Sequence, residues 1–160
     1  LLMRSLGTLT LRAAPIVDGA TLCEIAADRP YVLSSSYAAH GARGKVAAQD
    51  PFFFHTAIGI NQYIQIDLGE IRRIRRISIR NRTDACRDRA ACLFAILSAE
   101  PSGGDDTAAF PLPVPEGFLR GTTLECHFDI PVTAARYVRI TSPMETALHF
   151  SELRVYAEAG

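Results

Sequence analysis

What most constrains this chain is its punctuation: apolar or alternating stretches of strand length recur along it, and turn-forming residues interrupt them at close intervals. Residues 63–68 (Tyr-Ile-Gln-Ile-Asp-Leu) alternate as far as Gly69-Glu70, after which Ile71, Ile74, Ile77 and Ile79, interspersed with arginines, lead to Asn81. Alternation at period two gives a strand one buried and one wet face. Two strands joined by a tight turn at Gly69 fit this best. Further strands are expected over 92–98, 124–130, 136–141 and 152–157, whereas 101–106 (Pro-Ser-Gly-Gly-Asp-Asp) has the composition of an exposed loop. No long segment keeps helical period, and the opening 1–11 reads as a short helix or, by preference, a strand. The nine prolines fall mostly at segment edges, where a missing N–H does no harm. Many short strands so spaced make a sandwich or barrel.

At 160 residues and 48% hydrophobic content the chain can bury one substantial core but not two. With no internal repeat and no low-complexity linker, a single β-sandwich over 27–160 is expected. Residues 1–26 are expected to be an N-terminal extension, or first strands, that could dock elsewhere. Lys+Arg and Asp+Glu are both 17, so no field of one sign draws the molecule toward nucleic acid or an anionic membrane. Arg72, Arg73, Arg75, Arg76 and Arg80 alternate with isoleucines, which marks a solvated sheet face rather than a polyanion site. Phe52, Phe53 and Phe54 read as a buried anchor in preference to an exposed loop spike. No stretch approaches the roughly 18 uninterrupted apolar residues of a transmembrane helix. The opening segment, broken by Arg4, Ser5, Gly7 and Thr8, is no signal peptide. A start at Leu1 rather than Met is expected of a fragment or a mature form. Cys23, Cys86, Cys92 and Cys126 lack zinc-ligand spacing; their even number permits two disulfides in three pairings, and free cysteines packing as small hydrophobes fit equally well.

The residues with chemistry concentrate in two places. His55-Thr56 precedes the 63–68 strand, and Arg82-Thr-Asp84-Ala-Cys-Arg-Asp-Arg89 follows the next one. A hairpin about Gly69 would bring both to one end of the sandwich. Arginine offers a rigid fork of donors, histidine donates or accepts, and an aspartate beside an arginine holds the fork in place. Such a set suits a neutral polyol. Each residue also has a plainer role, His55 as a capping or core histidine and Arg82–Asp84 as a loop ion pair. Catalysis lacks support: no nucleophile elbow, Gly-rich phosphate loop or His-Glu-x-x-His helix is present. Asp84 and Asp88 lie among arginines that keep them ionised, unlike the general acid of a glycosidase.

At these positions the sequence resembles a known family. His55-Thr56, a strand ending in Asp67-Leu68-Gly69, and Asn81-Arg82-x-Asp84-x-x-x-x-Arg89 look like the F-type lectin (fucolectin) branch of the coagulation factor 5/8 type C, or discoidin, superfamily. Residues 135–140 and 148–156 resemble its closing strands, so the likeness covers about 27–156. It implies an all-β fold, a discoidin-like (galactose-binding-domain-like) antiparallel jelly-roll β-sandwich. It also implies that Arg82, Arg89 and His55 grip fucose or a related sugar while Asp84 orients Arg82. The chain departs from the family in having Ala85-Cys86 where adjacent cysteines usually form a disulfide, and in having no Trp. Through its continuation Arg87-Asp88-Arg89-Ala90 the chain most resembles bacterial relatives that are appendages of larger surface or glycosyltransferase proteins, without a known sugar. The family's calcium site implies Glu152 as a last-strand ligand and Asp50 in the preceding loop, although 41–54 offers no other carboxylate. The expected function is therefore a carbohydrate-binding module, not an enzyme. Its expected partner is a cell-surface or capsular glycan, met outside the cell or on a particle surface, as an oligomer or part of a larger assembly. The alternative is a structural or protein-interaction module whose loop arginines hold the fold together.

Overall fold

The computed structural model describes residues 13–159; the 1–11 segment, for which a strand is expected, lies outside them. In chain order come β1 (Ile16–Val17), β2 (Ala20–Glu24), β3 (Pro30–Leu33), β4 (Arg43–Lys45) and β5 (Gln62–Asn81). A 3-10 turn (Arg87–Ala90), β6 (Leu93–Ser98), β7 (Ala108–Leu112), a one-turn helix α1 (Glu116–Arg120), β8 (Glu125–Ser142) and β9 (Phe150–Glu158) follow. Pairing is antiparallel throughout, in the order β1-β2-β9-β5-β8-β6-β7, with β3 joining β5 and β4 joining β3. Leu22 of β2 is buried and its neighbours pair with β9, so this part of the 1–26 stretch is sheet.

The expected hairpin at Gly69 is not formed. Residues 62–81 are one strand, and both of its halves pair with the equally long β8: Gln62–Asp67 lie opposite Ser142–Tyr137, and Arg72–Arg80 opposite Ala135–Glu125. Between them the register shifts at a bend, where Gly69 takes φ 84°, a conformation that glycine adopts without a Cβ clash. Asp67 fixes the bend: its carboxylate accepts from the Gly69 amide at 2.8 Å and from the Arg136 fork at 2.8 and 3.1 Å. Because β5 and β8 bend together, the sheet curls on itself and closes a sandwich. A second register shift, between Ile74 and Arg76, explains why Ile74 and Ile77, three apart, both face inward.

Ile64, Ile66 and Leu68 from one half of β5 and Ile74, Ile77 and Ile79 from the other meet in a single core with Phe54, Phe118, Val138, Ile140 and Phe150. Full burial of such a side chain is worth roughly 1.5–3 kcal/mol, so bringing both isoleucine sets into one interior is what drives the curl. The arginines of β5 lie on the outer face against acids: Arg73 and Arg75 reach Glu158, Arg75 also Asp18, Arg76 reaches Asp129, and Arg80 reaches Asp50. All four cysteines are free thiols.

Candidate functional site

The curl does what a hairpin would have done, returning the two far ends of β5 to one edge of the sandwich. Segment 49–56 lies along the start of β9, with Gln49 N–H donating to the Ser151 carbonyl, Phe53 to Phe150 and Thr56 to Leu148, each at 2.9–3.0 Å. His55 thereby comes beside His149, ring centroids 4.8 Å apart. From the opposite side Arg82 leaves the end of β5, placed by Asn81. The buried Asn81 side chain accepts from the Arg82 amide at 2.8 Å and donates to the Arg87 and Phe118 carbonyls at 3.1 Å. One amide thus joins the strand end, the 3-10 turn and α1.

Arg82 and Asp84 form a two-pronged pair, Nε–Oδ1 2.5 Å and Nη2–Oδ2 3.2 Å. The guanidinium carbon lies 4.7 Å from the centroid of the Phe52 ring, a cation–π contact. Its Nη1 is 3.4 Å from His55 Nε2. The tautomer follows from the other ring nitrogen: Nδ1 is 2.7 Å from the Thr56 carbonyl, which only accepts, so Nδ1 carries the proton and Nε2 a lone pair. A similar contact stands beside it, with Arg89 Nη1 3.5 Å from His149 Nε2. Three of the five N–H groups of Arg82 are engaged, and among the described residues no carboxylate pairs with Arg89.

Electrostatics keep this set in one protonation state. Burial, opposed by the Thr56 hydrogen bond and aided by Arg82, Arg89 and His40, holds His55 below the usual histidine range. Burial together with His55 and the two arginines lowers His149 to about 4. The Arg82 fork holds Asp84 at about 2, so it cannot act as a proton donor at neutral pH. Two neutral imidazoles, two guanidiniums and one carboxylate make a surface with acceptors and donors side by side.

The four residues expected from the sequence, His55, Arg82, Asp84 and Arg89, are brought together. The residues missed are His149, Phe52, Tyr37 and His40. Tyr37 is 52% exposed and tilts over His55 at 4.6 Å, while His40 stands edge-on to Phe52 at 5.2 Å. Phe54 is the buried anchor expected of the triplet, and Phe52 instead supports the Arg82 guanidinium. The signal for His149 lay in the sequence, a histidine at the edge of the closing strand.

Asp50 and Glu152 do not fit calcium. Asp50 gives its carboxylate to Arg80 at 2.7 Å and Glu152 gives its own to Arg154, so an arginine already supplies the positive charge at each. Among the described residues no three His, Cys, Asp or Glu side chains gather as metal ligands. No helix among them is long and apolar enough to cross a membrane.

No family model matches the chain, and no curated protein matches it in sequence. Solved structures do match in shape. The lectin domain of lectinolysin in complex with Lewis B antigen superposes with TM-score 0.70 at 22% identity, over 84% of this chain and 96% of that one. A Streptococcus pneumoniae fucose binding module gives TM-score 0.68 at 20% identity, over 90% and 100%. A Clostridium perfringens module in complex with GalNAc-β-1,3-galactose gives 0.67 at 14%, over 84% and 100%. The fold is therefore the discoidin-like (galactose-binding-domain-like) antiparallel β-sandwich, which the chain shares in shape with structures of F-type lectin and fucose-binding modules.

Proposed function

We propose that this chain is a non-catalytic carbohydrate-binding module that takes a neutral monosaccharide at the His55–Arg82–Asp84–Arg89 edge, with fucose or a related sugar as the ligand. The observation that carries the reading is the doubled imidazole–guanidinium contact. A hydroxyl that inserts into such a contact takes over both ends, accepting from the guanidinium N–H and donating to the single Nε2 lone pair that the arginine otherwise occupies at 3.4–3.5 Å, and two contacts side by side suit two hydroxyls of one ring. Neutral histidines keep the Nε2 lone pairs that hydroxyls take over from the arginines, and Asp84 fixes the Arg82 fork before the ligand arrives, so little ordering remains at binding. Tyr37 and Phe52 offer apolar surface to the C–H faces of the ring. The structures of similar shape that are described as binding fucose, Lewis B or GalNAc-β-1,3-galactose support a glycan as the ligand class. The family's adjacent-cysteine bridge has no counterpart here, since Ala85 precedes the free thiol of Cys86, so the apolar support must come from the aromatic rings instead.

Each hydrogen bond to a sugar replaces one to water and gains about 0.5–1.5 kcal/mol, so single-site affinity is weak. A weak module of this kind serves a multivalent surface, consistent with a place outside the cell or on a particle and with repetition in an oligomer or larger protein. Arg89 is the residue that tests the reading, because it makes no ion pair among the described residues and its loss should not unfold the domain. On a glycan array the wild type binds a defined set of sugars, and Arg89→Ala loses that binding by about tenfold or more with its melting temperature intact. No glycan binding by the wild type, with a melting temperature that falls in the variant, would instead make these arginines parts of a scaffold.

A further inference from the structure

We infer that a hollow lined in part by Arg89 is a second subsite, which holds the neighbouring residue of an oligosaccharide. This rests on the glycan-binding reading above and extends it. Arg89 belongs to both places: its Nη1 meets His149, and the same residue lines a hollow of about 270 Å³ with Ile58, Asp88, Met144, Glu145 and Thr146. The hollow is built from three separate loops stitched by backbone. Gly59 and Thr146 exchange N–H···O bonds at 3.2 and 3.1 Å, and the Thr146 hydroxyl reaches the Arg89 carbonyl at 3.5 Å.

Its chemistry is that of a polyol site and continues the first one. Asp88 and Glu145 are exposed, and among the described residues neither carboxylate has an ion-pair or hydrogen-bond partner, so both are open to hydroxyl donors. Arg89, shared by the two subsites, supplies donors. Ile58 and Met144, 61% and 51% exposed, are large apolar side chains facing solvent at the same spot, suited to the C–H face of a pyranose. Two carboxylates against one guanidinium leave the hollow net negative, which selects a neutral residue and rejects a uronate or other acidic sugar.

The test compares a panel of immobilised monosaccharides (fucose, galactose, N-acetylgalactosamine) with the Lewis B and GalNAc-β-1,3-galactose oligosaccharides. It uses wild type, Met144→Ala and Glu145→Ala, with melting temperature as the folding control. The wild type should prefer an oligosaccharide over its best monosaccharide by about tenfold, the worth of one or two added contacts. Each variant should cut that preference several-fold and keep the monosaccharide affinity and the melting temperature. A wild-type preference that both variants retain, or no preference in a protein that binds the monosaccharide, overturns the second subsite alone. No binding to any panel member overturns the glycan reading and this inference together.

Discussion

His149 shows how much a single buried side chain sets at this edge. It is 2% exposed, its Nδ1 has no hydrogen-bond partner, and its Nε2 faces Arg89. Protonation would place a cation in a dry site beside two guanidiniums, which is why its pKa falls to about 4. A histidine depressed from 6.5 lets the unfolded chain bind the proton first, so stability is complete above about pH 6.5 and is lost as the pH falls toward 4. The amount at stake is at most about 3 kcal/mol. Asp67, Asp84, Asp129 and Glu158 are also depressed, but their stabilisation begins to be lost only as the pH falls into the ordinary carboxylate range, from about 4.5 for Glu158 and 3.8 for the aspartates, so the two windows meet only at the acid end. Melting curves between pH 7 and 4 should show the wild type losing stability steadily, and His149→Phe should show a shallower loss, the remainder coming from His55. Equal slopes in the two proteins would mean that His149 titrates normally.

At the scale of elements, the paired bend of β5 and β8 is what the rest of the site inherits. The isoleucine alternation, a break in the strand at Gly69 and the convergence of His55 with Arg82 were all legible in the sequence. The hairpin was not correct, because a turn and a strand bend share one local signature. The difference lies in the partner: β5 pairs with β8, some sixty residues further along the chain, and nothing near Gly69 encodes that pairing. The short strands β3 and β7 escaped notice for a related reason, since Pro30–Leu33 and Ala108–Leu112 are too brief to show a period and depend on their neighbours. His149 and Phe52 were missed because their role is defined by contacts to Arg89 and Arg82 across the fold rather than by spacing. Gly69→Ala tests the bend. A Cβ there meets only the tip of the Arg29 side chain, at 2.8 Å, which can swing aside, so the cost arises from the positive φ. Urea unfolding should show a loss of about 1–2 kcal/mol with an unchanged denaturant slope. Sugar binding should hold, because Arg82 and His55 lie beyond the other ends of the two half-strands. A neutral result would show that the bend relaxes into an ordinary strand.

For the whole molecule the decisive quantity is charge, because a chain with 17 basic and 17 acidic residues carries no net field. The arginines of β5 that most invite a polyanion are spent on Glu158, Asp18, Asp129 and Asp50. A neutral ligand held by short-range hydrogen bonds gains nothing from long-range attraction, whereas binding of an acidic polysaccharide would weaken as salt shortens the Debye length from about 14 Å to about 4 Å between 0.05 and 0.5 M. The proposed function therefore predicts binding to immobilised glycan that is flat across that salt range. Linking several copies on one scaffold should raise apparent affinity by about 10²–10⁴ without any new contact, provided the linkers let two sites engage at once. Surface plasmon resonance on sparse and dense glycan surfaces separates the two effects: avidity follows ligand density, and charge follows salt. A steep fall with salt on the sparse surface, where avidity is absent, would identify a charged ligand. The neutral pairing of imidazole with guanidinium would then be the wrong account of what this edge recognises.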